Sequence, residues 1–284
     1  MTNLTTPSSA KAFAPDVTTF EANTVLQQAA ILQHSTVSAQ IEGDAPAVRV
    51  GYVKDDDAEF VDEGDEIPEG DPQLAEALVF TKKFAVLDKL SREQYRQAQS
   101  PEQLAASITR SMTFKADTAF LAQPAPTAPA TAPVAGMMNV AGLVTKSGVA
   151  DNLDDLIDLE AEVRANLGFP TSWILAPDTW AELRKLKKFT GGTDSAASNE
   201  GILGAGTENA QPLLLGIPVD VRPKMPSGAG LLVDRTQIIS AVAGLELAVD
   251  PSYFFGSDNY AIRAVWRTGH TVVRPERIGR FTMA

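Results

Sequence analysis

Between residues 48 and 90, two strand-like runs flank a stretch of a single charge sign, and this pattern restricts the fold more than any other in the chain. The first run is Val48, Arg49, Val50, Gly51, Tyr52 and Val53; the second is Ala77, Leu78, Val79 and Phe80, followed by Lys82, Lys83, Phe84, Ala85, Val86 and Leu87. Between them stand Asp55, Asp56, Asp57, Glu59, Asp62, Glu63, Asp65, Glu66, Glu69 and Asp71, with no lysine or arginine among them. These carboxylates carry most of the net charge of −12. A domain charged only for solubility mixes both signs over its surface. A two-stranded hairpin alone is marginal in water, so a long arm with an acidic tip must rest on something else, most simply a neighbouring copy of the chain.

The rest of the composition narrows the class. A chain of 284 residues with 44% hydrophobic content can bury a sizeable core, as one large domain or two modest ones. It has no cysteine, which excludes disulfides, thiolate catalysis and thiolate metal sites. No apolar run approaches the ~20 residues that span a bilayer, so no membrane partner is expected. The first residues lack the basic and apolar regions of a secretory signal. A pI near 4.7 argues against a protein that grips nucleic acid through a basic face, although an acidic protein can still enclose DNA.

Along the chain, residues 1–18 read as a Thr/Ser/Pro/Ala tail, and Phe20, Val25, Ala29 and Leu32 suggest a helix over 19–34. Ser91 is a candidate helix cap, with Glu93 and Gln94 in the first turn. Pro101 opens a long helix to about residue 121, with Leu104, Ile108, Met112, Ala116 and Phe120 on its apolar stripe. Four prolines over 123–136 forbid helix there and mark a connection. The clearest amphipathic helix spans 151–167, with Leu153, Leu156, Ile157, Leu159 and Val163 as its buried face and Gly168 ending it. A short strand at 173–176 and a helix from Pro177 to about 188 follow, then a long polar loop at 189–211. The remainder divides into strands at 213–222, 230–234, 237–243, 245–250, 259–268 and 270–275, the last two joined as a hairpin at Thr268-Gly269.

Motifs for chemistry are weak. The two histidines, His34 and His270, read as surface or strand residues. Asp55, Asp57, Glu59, Glu63 and Glu66 fall at calcium-loop positions, but Phe60 stands where the sharp turn needs glycine. Gly204-Ala205-Gly206 lacks the third glycine of a dinucleotide fingerprint, and no G-x-S-x-G elbow occurs. No catalytic residue, cofactor or metal site is therefore expected. One contrast of charge stands out. After residue 260, Arg263, Arg267, Arg274, Arg277 and Arg280 face only Glu276. Either these arginines decorate strand surfaces, or the acidic tip (Asp55, Asp56, Asp57, Glu59, Asp62, Glu63, Asp65, Glu66) docks on an adjacent subunit through Arg263, Arg267, Arg274 and Arg277, fixing register more than adding affinity.

Several stretches carry a family resemblance. Val61-Asp62-Glu63-Gly64-Asp65-Glu66-Ile67-Pro68-Glu69, then Lys82-Lys83-Phe84-Ala85-Val86 and Ser91, resembles the major capsid proteins of tailed bacteriophages, the Hong Kong 97 fold. So do Thr171-Ser172-Trp173-Ile174-Leu175-Ala176-Pro177-Asp178, Leu215-Gly216-Ile217-Pro218-Val219 with Met225-Pro226, and Val265-Trp266-Arg267-Thr268-Gly269-His270. The resemblance covers about 50–284 and implies an α+β fold in four parts. These are an N-terminal arm (1–45), an extended β-hairpin loop (46–90), a peripheral domain with a long spine helix and β-sheet (91–125 and 235–284), and an axial domain (126–234). In such proteins the extended loop lies across the adjacent subunit. The resemblance further implies a non-enzymatic, self-assembling head shell of pentamers and hexamers enclosing double-stranded DNA without sequence-specific binding. A portal protein would accompany it. The site would be the virion, with assembly in the host cytoplasm. Some relatives carry a removable scaffolding segment of roughly a hundred residues. The ~40 residues before this arm are too few for such a domain, so a separate scaffolding protein is expected. The acidic tip holds no lysine, which disfavours a covalent cross-link there. Two rival readings are an encapsulin-like nanocompartment enclosing cargo enzymes, and a soluble ligand-binding or enzymatic α+β protein with 189–211 as its lid.

Overall fold

The computed structural model describes residues 16–20, 26–53, 74–95, 100–149, 152–186, 203 and 212–284. The acidic stretch and, apart from Leu203, the 189–211 loop lie outside the described residues. The architecture is two six-stranded sheets, a separate two-stranded hairpin and a 23-residue helix.

The first sheet is organised by one long strand. β13 (Asn259–Val272) pairs along one edge with β5 (Lys82–Ser91), from Asn259↔Ser91 to Thr268↔Lys82. Along its other edge lie β11 (Ile238–Val242) and β12 (Leu245–Phe254), end to end. Outside these, β2 (Thr36–Gln40) runs parallel to β11, and β1 (Asp16–Phe20) antiparallel to β12. The helix read over 19–34 is thus corrected. Residues 16–20 extend a sheet edge, and only α1 (Ala30–His34) is helical, because the pairing of Phe20 with Leu245 outweighs the local apolar period.

The hairpin expected at Thr268-Gly269 is also corrected, since both residues lie inside β13. Gly269 serves close passage instead of a turn: a Cβ there would stand 2.2 Å from the carbonyl oxygen of Phe80. The true last strand, β14 (Gly279–Met283), belongs to the second sheet.

That sheet has the order β6 (Val144–Val149), β14, β10 (Ala229–Val233), β7 (Ser172–Leu175), β9 (Ile217–Val221), β8 (Leu213–Leu214). Every residue of β7 and β10 is buried, as expected for central strands covered on both faces. Trp173, Leu175, Leu232 and Phe281 meet Leu156, Leu159, Val163 and Leu183 from α4 (Asp154–Ala165) and α5 (Pro177–Lys185). Ile157 of α4 is half-exposed and not part of that face. The helix ends with Leu167, not Gly168, in the left-handed conformation (φ 61°). Gly168 is required for packing, because a Cβ there would lie 2.8 Å from the Val163 side chain.

The opposite face of the second sheet joins the first. Ile174, Leu231 and Val233 share a core with Ile262, Ala264 and Trp266 of β13 and with Ile108, Met112 and Phe120 of α3 (Ser100–Ala122). The stripe read along 101–121 is that buried face. α2 (Arg92–Tyr95) follows Ser91 directly.

Candidate assembly surfaces

The arm is a real hairpin. β3 (Ala47–Val53) and β4 (Leu74–Phe80) pair antiparallel from Ala47↔Phe80 to Val53↔Leu74. The second apolar run divides at Thr81, where β5 leaves to join β13. Val79 is fully buried and packs, with Val48, Val50 and Ala77, on Ile41, Ile239 and Ala241. The other side is open: Leu78 is exposed, and Arg49 and Glu76 form an exposed 3.4 Å ion pair, which by itself stabilises the strand pair little.

The base of the hairpin is bolted to its own chain. Thr81 donates its N–H to the Pro46 carbonyl (2.9 Å) and its hydroxyl to the Ala45 carbonyl (2.6 Å). Arg267 donates to Asp44 (3.0 Å) and to the Thr81 hydroxyl (3.1 Å), with only 13% of its side chain exposed. Of the four arginines named for docking, Arg267 therefore works inside the chain. Arg274 reaches Gln237 (3.4 Å), and Arg277 is half-buried. Arg280 is held by Thr145 (2.9 Å) and the Met138 carbonyl (2.7 Å). Only Arg263 is exposed, on the sheet face away from α3, opposite Leu87 in register. Exposed cations near it are lysines that sequence reading had not singled out: Lys83 and Lys89 on β5, with Lys82 and Lys115 farther round. The signal was present, since Lys82, Lys83 and Lys89 alternate with apolar residues over 82–90.

Two cavities border this region. One of about 300 Å³ is polar, with Lys83, Arg263 and Arg267 set against Asp44 and Glu246. The other, of about 220 Å³, lies between α3, β5 and the proline-rich connection.

A buried polar cluster at the junction of the two sheets escaped the sequence reading. His34, expected at the surface, ends α1 in the interior. Its Nε2 donates to Asp220 (2.6 Å), and its Nδ1 pairs with the Ser172 hydroxyl (3.0 Å). Arg222 donates through Nε to Asp220 (2.6 Å), through Nη1 to Asp117 (3.3 Å) and the Gln28 carbonyl, and through Nη2 to Gln33. Asp117, on α3, accepts the Ala30 N–H (2.7 Å) and so caps α1 from another element. Burial pushes the Asp117 carboxyl above its usual range despite Arg222. Burial also pushes Asp220 upward, but the hydrogen bonds from His34 and Arg222 outweigh it and hold the group low. His270, on β13, is wholly buried against Phe120 and pushed down to about 4, with the Ala135 carbonyl as its ring partner. Among the described residues no three potential metal ligands come together.

An arm anchored only at its base and an open, charged sheet face describe a structural protein shaped for contact with its own kind. A family model for the phage capsid family matches residues 19–283. The chain belongs to that family: it is a major capsid protein, a structural component of a phage head shell. Solved structures of similar fold include a Microbacterium phage Oxtober96 chain (TM-score 0.67, 13% identity, 100% of both chains covered). A Mycobacterium phage Bobi chain is also similar (TM-score 0.65, 15% identity, 100% of this chain and 99% of that one). So is the capsid of an empty GTA particle (TM-score 0.64, 17% identity, 90% of both chains). At these identities the likeness establishes the α+β capsid fold. No curated protein matched the sequence.

Proposed function

We propose that copies of this chain assemble as pentamers and hexamers into an icosahedral shell that closes around double-stranded DNA. A separate scaffolding protein and a portal protein would assist in the host cytoplasm. The observation that carries this reading is the family match across 19–283, joined to an arm that leaves one face bare and bears its charge at the far end. Identical chains with such complementary, non-identical surfaces make heterologous contacts, which close when the rotation permits. The shell needs no catalysis. The four-part division of the chain serves this reading, with 279–283 moved to the axial part because β14 extends the second sheet.

In this reading Asp55, Asp56, Asp57, Glu59, Asp62, Glu63, Asp65 and Glu66 dock on an adjacent subunit. Arg263 is the foremost arginine of the receiving surface, and Arg274 and Arg277 lie at its margin. Arg267 acts indirectly by holding the hairpin base. Such contacts select the correct partner and register.

Particle mass by analytical ultracentrifugation, with imaging of the peak and analysis of its contents, tests the proposal. Closed megadalton shells holding nuclease-protected DNA are expected when the neighbouring phage genes are co-expressed. Shells filled with a cargo protein, or a chain that stays monomeric under that co-expression, would overturn it.

A further inference from the structure

The cavity of about 220 Å³ has two chemistries in one place. Its floor is apolar, built from Ile31, Phe84 and Phe120, and its mouth carries Lys82, Lys83 and Lys115. Ile31 and Phe120 are buried, whereas all three lysines are exposed. A phosphate would use the lysines and leave the floor against water. A plain apolar segment would use the floor and press three cations against itself, at a desolvation cost. An aromatic ring flanked by carboxylates satisfies both, since the ring fills the floor, its face attracts ammonium groups and the carboxylates pair with them.

The chain contains such a segment. Between 55 and 71 the sole aromatic residue is Phe60, preceded by Asp57 and Glu59 and followed by Asp62 and Glu63. An apolar cavity of roughly 150 Å³ admits benzene, so this one has room for a benzyl group. The same copy is a poor donor. Its hairpin base lies beside the cavity, because Phe80 touches Gly269, a lining residue. Six residue steps from Ala47 to Val53 then carry the arm about 20 Å outward. Phe60, seven residues further on, returns only by retracing that length at full extension.

We propose that the lysine-mouthed cavity receives Phe60 of a second copy, with Glu59, Asp62 and Glu63 of that copy paired to Lys82, Lys83 and Lys115. This rests on the shell-forming reading above and gives the acidic arm a receptor centred on β5 and α3 in place of the C-terminal arginines.

Wild-type particles, assembled from a mixture of isotopically light and heavy chains, provide the test. Treatment with a zero-length carbodiimide cross-linker should join Lys82, Lys83 or Lys115 of one label to Glu59, Asp62 or Glu63 of the other. The Phe60→Ala variant, which retains every charge, should lower the yield of those bonds about tenfold, the worth of one buried aromatic side chain. Three results would overturn the proposal: bonds at these lysines that stay within one label, bonds to Asp250 or Asp258 beside the exposed aromatic tip at Tyr253 and Phe255, or reaction of other lysines while these three stay unjoined. An unchanged yield in Phe60→Ala would reduce the site to a charge contact and remove the cavity from it. Chains that form no particles at all would overturn the shell-forming reading, and this inference with it. Particles lacking these bonds would overturn the inference alone.

Discussion

The junction between the sheets and the open face of the first sheet handle charge in opposite ways. At the junction Arg222, Asp117, Asp220 and His34 are mostly buried, and each has its partners within 3.3 Å in the same chain. On the open face Arg263, Lys83 and Lys89 are exposed beside apolar Ala85, Leu87 and Val265. The first arrangement is complete in one copy and ties the N-terminal segment to both sheets. The second is half of something, a surface of mixed apolar and cationic character that a neighbour would complete. Changes at the junction should therefore act on the single chain, and changes on the open face only on assemblies.

The sharpest way to break that contrast is at Asp117. Asp117→Ala leaves Arg222 short of an anion and the Ala30 N–H without an acceptor, both inside the core. The expected loss is about 3–5 kcal/mol, because it strands a buried charge, measurable as a drop in the denaturant midpoint of unassembled chains. Asp117→Asn should cost much less. It keeps an acceptor for Ala30, and the native carboxyl is already pushed upward by burial, so stability tied to its protonation fades as pH rises from about 3.9. Equal losses for the two variants would mean that the charge itself, not the acceptor, holds the junction.

Acid should act next, and on folding more than on docking. His270 is held near 4 by burial, below the usual histidine value, so the folded chain resists a proton that the unfolded chain accepts. Its contribution is complete above about pH 6.5 and is lost as pH falls toward 4, for a total of about 3 kcal/mol. Asp220, held low, loses its own contribution only at still lower pH and with the same sign. The unfolding midpoint should thus decline between pH 6.5 and 4 in the wild type and decline less in His270→Gln. Parallel slopes would assign the acid sensitivity elsewhere.

What could be read from the sequence, and what could not, follows the range of each interaction. The hairpin strands and the helix at 100–122 were legible because alternation and the 3.6-residue period are local. The acidic tip was legible as chemistry but not as geometry. Thr268-Gly269 resembled a turn because glycine is ambiguous alone; only the distant Phe80 carbonyl explains it. The junction was hidden because its members, from residue 34 to 222, share no spacing, although Asp117 beside Ala116 on an apolar stripe was a clue. The arginines misled for a related reason. Their charge was visible, but the in-chain partners of Arg267 and Arg280, Asp44 and Thr145, lie far away in sequence.

Gly269 offers a middle case, where folding and assembly meet. Gly269→Ala puts a methyl group 2.2 Å from the Phe80 oxygen, a backbone atom that cannot rotate aside. The hairpin base or β13 must shift, costing about 1–3 kcal/mol as overpacking does. Hydrogen exchange should localise that loss to 45–50, 77–81 and 267–271, and shells should form poorly because the arm leaves at the wrong angle. A loss spread evenly over both sheets would mean that the arm and body fold as one unit.

The smallest effect on the single chain, and the cleanest for the comparison, is expected from a pair of charge changes one pleat apart. Arg263 and Arg267 lie on the same face of β13, four residues apart, so sequence alone treats them alike. Arg263→Glu alters an exposed residue and should leave the chain's stability within about 0.5 kcal/mol. Arg267→Met removes the partner of Asp44 and Thr81 and should loosen the hairpin base even in unassembled chains. In shells the order reverses in kind: Arg263→Glu should make assembly fail at low salt and recover partly as salt screens the reversed charge, whereas the Arg267→Met defect should be indifferent to salt. If both variants respond to salt alike, the open face has no special role in docking. If neither does, the lysines of β5 and α3 carry the cationic side of the contact.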